Sequence, residues 1–187
     1  MTGSLPPEYF ESLYAQDGDP WRFATSEYER AKYDATLAAL PASCGAAFEI
    51  GCSIGVLTQR LAPRCTSLLA VDVAEPALTQ ARARCAALAQ VTIRRMQVPQ
   101  DWPRAVFDTI LFSEVLYYLS PEDLSDTARR TRSSLKPGGT ALLVHYTLPT
   151  NYPCSGDEAT ARFLDRTGFT PILQLREAQY RLDLLRH

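Results

Sequence analysis

The stretch Phe48-Glu49-Ile50-Gly51-Cys52-Ser53-Ile54-Gly55 reads as a strand that runs into a glycine-bearing turn and then into a helix starting near Val56. Glycines let the backbone approach a ligand closely, and a helix start presents free N–H groups to it. Twenty-one residues beyond Gly51, at the end of the next apolar run, stands Asp72. A carboxylate there can accept hydrogen bonds from both hydroxyls of an adenosine ribose. The two features together point to an adenosine-containing cofactor. Dinucleotide enzymes share this layout, but their GxGxxG fingerprint is missing. Glu49, two residues before the first glycine, suits an ammonium better than a pyrophosphate. A purely structural turn beside an acid is the plainer alternative.

Outward from this turn, short apolar runs alternate with longer helical stretches, which argues for βαβ units and an α/β, mostly parallel central sheet. Strands are expected at Ala46–Ile50, Leu68–Val73, Val91–Met96, Phe107–Phe112 and Thr140–Tyr146. Helices are expected at Val56–Ala62, Glu75–Ala89 and Pro121–Ser134, where apolar residues recur at helical spacing. Leu135-Lys136-Pro137-Gly138-Gly139 should end the last of these in a tight turn. After a helix at Ser155–Thr167 closed by Gly168, the runs Ile172–Arg176 and Gln179–Leu185 form a terminal antiparallel hairpin. Tyr9–Leu40 reads as helical pieces on either side of Asp19-Pro20-Trp21.

The 187 residues fit a single domain, with an N-terminal helical segment over residues 1–40 and a core over 41–187. A net charge of -2 gives no general attraction for polyanions, so polymeric nucleic acid is an unfavourable partner. Five scattered cysteines without a CxxC pair make no disulfide framework and suggest a reducing cytoplasm. The opening MTGSLPPEYF carries no secretion signal, and no run is long enough for a membrane span. Nor do the cysteines, histidines and carboxylates show ligand spacing, so no metal is expected.

Three further stretches sharpen the reading. Phe107 to Tyr118, with the sequence FDTILFSEVLYY, followed after a helix by Leu135-Lys136-Pro137-Gly138-Gly139, resembles the fourth- and fifth-strand landmarks of class I methyltransferases. Asp19 to Tyr33, with the sequence DPWRFATSEYERAKY, the turn Glu49–Gly55 and Ser113-Glu114-Val115 with its two tyrosines are similar to the NodS-type enzymes. Those N-methylate the deacetylated terminal glucosamine of chitooligosaccharide signals. The resemblance implies a Rossmann-like class I methyltransferase fold and S-adenosyl-L-methionine as cofactor, with S-adenosyl-L-homocysteine as product. It implies that Glu49, Gly51 and Gly55, with Cys52 between them, line the methionine end. Asp72 would hold the ribose, Val73 would pack on the adenine, and Ser113 would complete the set. Gln97, beside Val98, stands where many relatives carry a carboxylate, and its amide oxygen can still accept from the adenine amino group.

Trp21, Tyr28, Arg30 and Tyr33 are candidates for a lid over the cofactor, with anchoring of the N-terminal segment as the equal alternative. On the acceptor side, Glu114, Tyr117, Tyr118, His145 and Tyr146 fall at or after the ends of the fourth and fifth strands, where open α/β sheets place ligands. Glu114 and His145 are the candidate proton acceptors; helix capping and a structural hydrogen bond are their alternatives. The loop Pro149–Asp157 reads either as a cover for that crevice or as an exposed connector. The expected acceptor is a small molecule, first the amine of an amino sugar or glycoside, second a hydroxyl. A nucleotide-binding module without turnover and an NAD-dependent reductase are the readings from other classes.

Overall fold

In a computed structural model, residues 3–187 are described, so the first two residues of the opening stretch lie outside the description. The described residues form two compact units, Pro6–Met96 and residues 3–5 with Gln97–His187.

In Pro6–Met96 the elements are α1 (Pro7–Gln16), α2 (Glu27–Ala39), β1 (Gly45–Ile50), α3 (Val56–Leu61), β2 (Cys65–Asp72), α4 (Glu75–Cys85) and β3 (Val91–Arg95). Proline at the first position starts α1, where its missing N–H costs nothing. Ser26 caps α2 by accepting from the Glu29 amide. The strands are parallel in the order β3-β2-β1, with Glu49 opposite Ala70 and Asp72 opposite Arg95. The last four residues of β1 are all buried, as expected for a parallel strand covered on both faces. α4 stops at Cys85 rather than continuing to Ala89. Two successive tight turns, Leu88 N–H to Cys85 O and Val91 N–H to Leu88 O, swing the chain into β3. The alanine-rich stretch hides this stop because it carries neither Gly nor Pro.

The second unit holds β4 (Phe107–Ser113), α5 (Pro121–Ser134), β5 (Leu135–Tyr146), α6 (Gly156–Thr167), β6 (Thr170–Arg176) and β7 (Tyr180–Arg186). β4 and β5 are parallel, while β7 runs antiparallel to both β5 and β6, so the expected C-terminal hairpin is present. The Lys136–Gly139 turn is not a separate element. Extended chain begins at Leu135, opposite Phe107, and the pairing next resumes at Thr109 with Thr140, so residues 136–139 are an irregularity inside β5. Gly138 is left-handed there, and a Cβ on Gly139 would come within 2.9 Å of the Asp108 carbonyl oxygen.

A capping box between Ser155 and Glu158 starts α6, and left-handed Gly168 ends it. The helix start packs hard on the end of β5. A Cβ on Gly156 would lie 2.3 Å from the Tyr146 carbonyl oxygen and 2.9 Å from His145 Cβ. Gly156→Ala is therefore expected to cost about 1–3 kcal/mol of stability, since backbone must move to admit the methyl. Urea unfolding checks this, and an unchanged midpoint would refute the close approach.

Candidate functional site

The turn after β1 carries three left-handed residues, Gly51, Ser53 and Gly55. Gly51 and Cys52 both donate their N–H to the Val71 carbonyl, at 2.9 and 3.0 Å, which ties the turn to the end of β2. Gly55 is needed for packing as well as for its φ, because an added Cβ would meet Ala81 of α4 at 3.0 Å. Glu49 is fully buried, and neither of its carboxylate oxygens has a hydrogen-bond partner. Burial pushes its carboxyl up to about 7; the Thr58 hydroxyl, near but without a hydrogen bond of good geometry, offsets part of the rise, and the Asp72 charge adds to it. An orphaned buried carboxylate is costly unless a cation joins it. The ammonium of a methionine moiety fits that need.

Asp72, half-buried at the end of β2, accepts from Ser53 N–H through Oδ2 and from Ala74 N–H through Oδ1, both at 3.0 Å. Burial raises its pKa, and these backbone donors oppose the rise. Each oxygen keeps a second lone pair, so a ribose diol fits the acid as placed. The Cys52 thiol is buried and raised well above its ordinary range, first by burial and then by the Asp72 charge, which makes it unreactive. The Val73 carbonyl accepts from Arg95 Nε at 3.0 Å.

Trp21 packs against Tyr14 and Phe23, at 5.6 Å between centroids in each case, within a cluster that includes Ile54 of the turn. Tyr14 comes from α1, and its hydroxyl bonds to Ser53 Oγ in a buried contact. Sequence reading missed Tyr14; its only signal is the spacing from Phe10 on one helix face. The Tyr28 ring faces the Lys32 ammonium at 5.0 Å, and Lys32 and Glu29 form a buried ion pair. Arg30 lines an open cavity of about 420 Å³ with Phe23, Ser26, Tyr33, Val56 and Arg60.

In the other unit, Gln97 N–H donates to Asp101 Oδ2 at 2.9 Å and Val98 is buried. Ser113 ends β4, half-buried. Glu114 follows with φ +59, a strained conformation for a non-glycine residue, and its N–H is held by the Val144 carbonyl at 2.9 Å. Tyr117 donates its hydroxyl to Glu114 Oε2 at 3.4 Å. Tyr117 and Tyr118 meet edge to face at 4.6 Å, and Tyr152, from the loop after β5, stacks on Tyr117 at 5.4 Å and meets Tyr118 at 4.7 Å. The loop over Pro149–Asp157 is thus anchored by an aromatic contact that sequence reading did not single out. Tyr146 is half-buried beside the start of α6.

His145 is fully buried, with its ring 5.4 Å from that of Tyr117. Thr160 donates its hydroxyl to the Gly156 carbonyl, so the 3.4 Å contact from Thr160 Oγ1 to His145 Nδ1 assigns the hydrogen to Nδ1. Burial drives the imidazole down to about 3, against the opposing charge of Asp183. Such a ring is neutral and a poor proton acceptor at pH 7, which disfavours the reading of His145 as a base.

Among the described residues, no three His, Cys, Asp or Glu side chains gather as a metal site, and no helix is long and apolar enough to cross a membrane. The nodulation protein S (NodS) model matches residues 11–144. The chain belongs to the NodS family. It is 32% identical to nodulation protein S of Bradyrhizobium diazoefficiens over 76% of this chain and 69% of that protein. Other curated proteins of that name are spanned over 52% to 60% of their length. A solved Pseudomonas syringae protein named as a methyltransferase is 32% identical, with a TM-score of 0.77 over 87% of this chain and all of that one. N-methyltransferase NodS of Bradyrhizobium japonicum, solved with S-adenosyl-L-homocysteine, superposes with a TM-score of 0.83 at 23% identity over 96% of this chain and 97% of that one.

The fold is therefore the Rossmann-like class I methyltransferase fold with a C-terminal antiparallel hairpin, and the chain is an S-adenosylmethionine-dependent methyltransferase of NodS type. The NodS match takes in the glycine turn, Asp72 and Glu114 but ends one residue before His145, so Tyr146 and Tyr152 also lie beyond it.

Proposed function

We propose that this NodS-family methyltransferase N-methylates a small-molecule amine, with an amino sugar or glycoside as the acceptor class. The carrying observation is Glu114: a half-buried carboxylate held by strained backbone at the end of β4, with the Tyr117 hydroxyl donating to one of its oxygens. An acid so placed can orient an amine or take its proton. The amino-sugar class is what the resemblance to NodS-type enzymes implies, and the Bradyrhizobium japonicum relative is an N-methyltransferase.

In this reading Glu49 holds the methionine ammonium, Asp72 the ribose hydroxyls, and Gly51 and Gly55 admit the methionine end. Trp21, Tyr28, Arg30, Cys52, Val73, Gln97, Val98 and Ser113 complete the cofactor side, and Tyr117, Tyr118 and Tyr146 the acceptor side. The bound cofactor supplies an electrophilic sulfonium methyl. An amine arrives largely as ammonium and must shed a proton before its lone pair can attack. Burial disfavours the charged form, and Glu114 takes the proton directly or through water. With Glu49 and Asp72 holding the cofactor and Glu114 the amine, the freed nitrogen lone pair would accept the methyl group, and the electrons of the methyl–sulfur bond would stay with the departing thioether. Fixing the amine in line can supply roughly 7–11 kcal/mol of the barrier reduction, so positioning outweighs any single base. The Tyr117 and Tyr118 phenols, held protonated chiefly by burial, serve as neutral hydrogen-bond donors.

The test is incubation with S-adenosylmethionine and a deacetylated chitooligosaccharide, with the product's methyl located by mass spectrometry. Methyl on nitrogen supports the reading; transfer to a hydroxyl, or to phenolic acceptors alone, moves it to O-methylation. Glu114→Gln is expected to lower kcat about a hundredfold while S-adenosylhomocysteine affinity stays unchanged. Loss of that affinity would put Glu114 on the cofactor instead.

A further inference from the structure

We infer that Tyr14 of the N-terminal helix is a positioning residue for the ribose carboxylate, because its buried hydroxyl fixes Ser53, whose backbone N–H braces Asp72. The inference rests on the reading of Asp72 as the ribose-binding acid. Ser53 is a non-glycine residue at φ +50, a conformation that persists only where its surroundings over-determine it. Two bonds do so here: its N–H to Asp72 Oδ2, and its Oγ to Tyr14. Tyr14 is itself packed into the core, at 5% exposure, with its ring against Trp21 and in the cluster of Ile54, Ala74 and Ala77.

Two further ties bring the same segment to the cofactor-bearing strand ends. Glu11 of α1 pairs with Arg95 at 2.6 Å, and Arg95 donates to the carbonyl of Val73, the residue after Asp72. Gln80 of α4 donates to the Gly18 carbonyl at 2.7 Å. The first helix is thus tied to Ser53, whose N–H reaches Asp72, and through Arg95 to the carbonyl of Val73. Its contribution is to hold the acid's geometry, a role distinct from covering a bound ligand.

Calorimetric titration of wild type, Tyr14→Phe, Ser53→Ala, Asp72→Ala and Tyr14→Phe/Asp72→Ala with S-adenosylhomocysteine tests this. Tyr14→Phe keeps the ring and is expected to hold its melting temperature while Kd rises about three- to tenfold. Methylthioadenosine, which carries the ribose but no amino acid, should lose affinity by the same factor. In the Asp72→Ala background the Tyr14 change should add nothing. Unchanged affinity in Tyr14→Phe, a loss confined to S-adenosylhomocysteine, or a full additional loss without Asp72 would each overturn the inference. Should Tyr14→Phe unfold, Ser53→Ala is read by the same criteria. If Asp72→Ala binds as well as wild type, it is the ribose reading of Asp72 that fails, whatever Tyr14→Phe does.

Discussion

Replacing Asp72 with alanine should weaken S-adenosylhomocysteine binding about ten- to a hundredfold, measured by isothermal titration. The carboxylate does two things that alanine cannot. It offers lone pairs to the ribose diol, and it satisfies the Ser53 and Ala74 amides at 3.0 Å each. Losing it therefore removes acceptors for the ligand and leaves two backbone donors unpaired, each costing about 1–3 kcal/mol if no water replaces the carboxylate. A tenfold loss corresponds to about 1.4 kcal/mol, so even partial rescue by water leaves a measurable effect. An Asp72→Ala protein that binds with wild-type affinity would remove the acid from the site.

The second large effect is a pH dependence set by Glu49. Burial raises its carboxyl from 4.5 to about 7. Because the folded state holds the proton more tightly than the unfolded chain, the stability linked to this group is complete below about pH 4.5 and is lost as pH rises through 7. Its full span is on the order of 3 kcal/mol, since each pKa unit is worth about 1.4 kcal/mol. Ammonium binding needs the ionised form and so runs the other way: apparent affinity should rise about tenfold or more between pH 5.5 and 7, with a proton released on binding. The free protein thus loses stability over the range in which it gains affinity. Glu49→Gln should flatten both profiles at once. A wild-type Kd that is level across this range would show that Glu49 does not meet the ammonium.

Much of this protein is legible in its linear order. The alternation of apolar runs and helical stretches, the glycines at 51 and 55, Asp72 at the next strand end and the Pro121 start of α5 all act through local backbone preference or short-range period. Failures fall where local preference is silent. The stop of α4 at Cys85 is marked by no breaker, and the KPGG stretch is carried inside β5 as an irregularity because Leu135 and Thr140 on either side of it pair with β4. Of the two readings of His145, a base or a structural hydrogen-bonded residue, linear order favours neither; Gly156, eleven positions later, lets α6 lie against its Cβ, and burial lowers the imidazole's pKa to about 3.

The sequence by itself determined the class of fold, the glycine-bearing turn after β1 and the acid at the end of the next strand, because each follows from residue type and spacing along the chain. Only the tertiary structure decided that Tyr14 reaches Ser53 across 39 residues, that Tyr152 stacks on Tyr117 across 35, and that Glu49 is left without a partner. Those outcomes depend on which surfaces the packed helices bury. Desolvation and long-range contact, unlike period and propensity, exist only once the chain has folded.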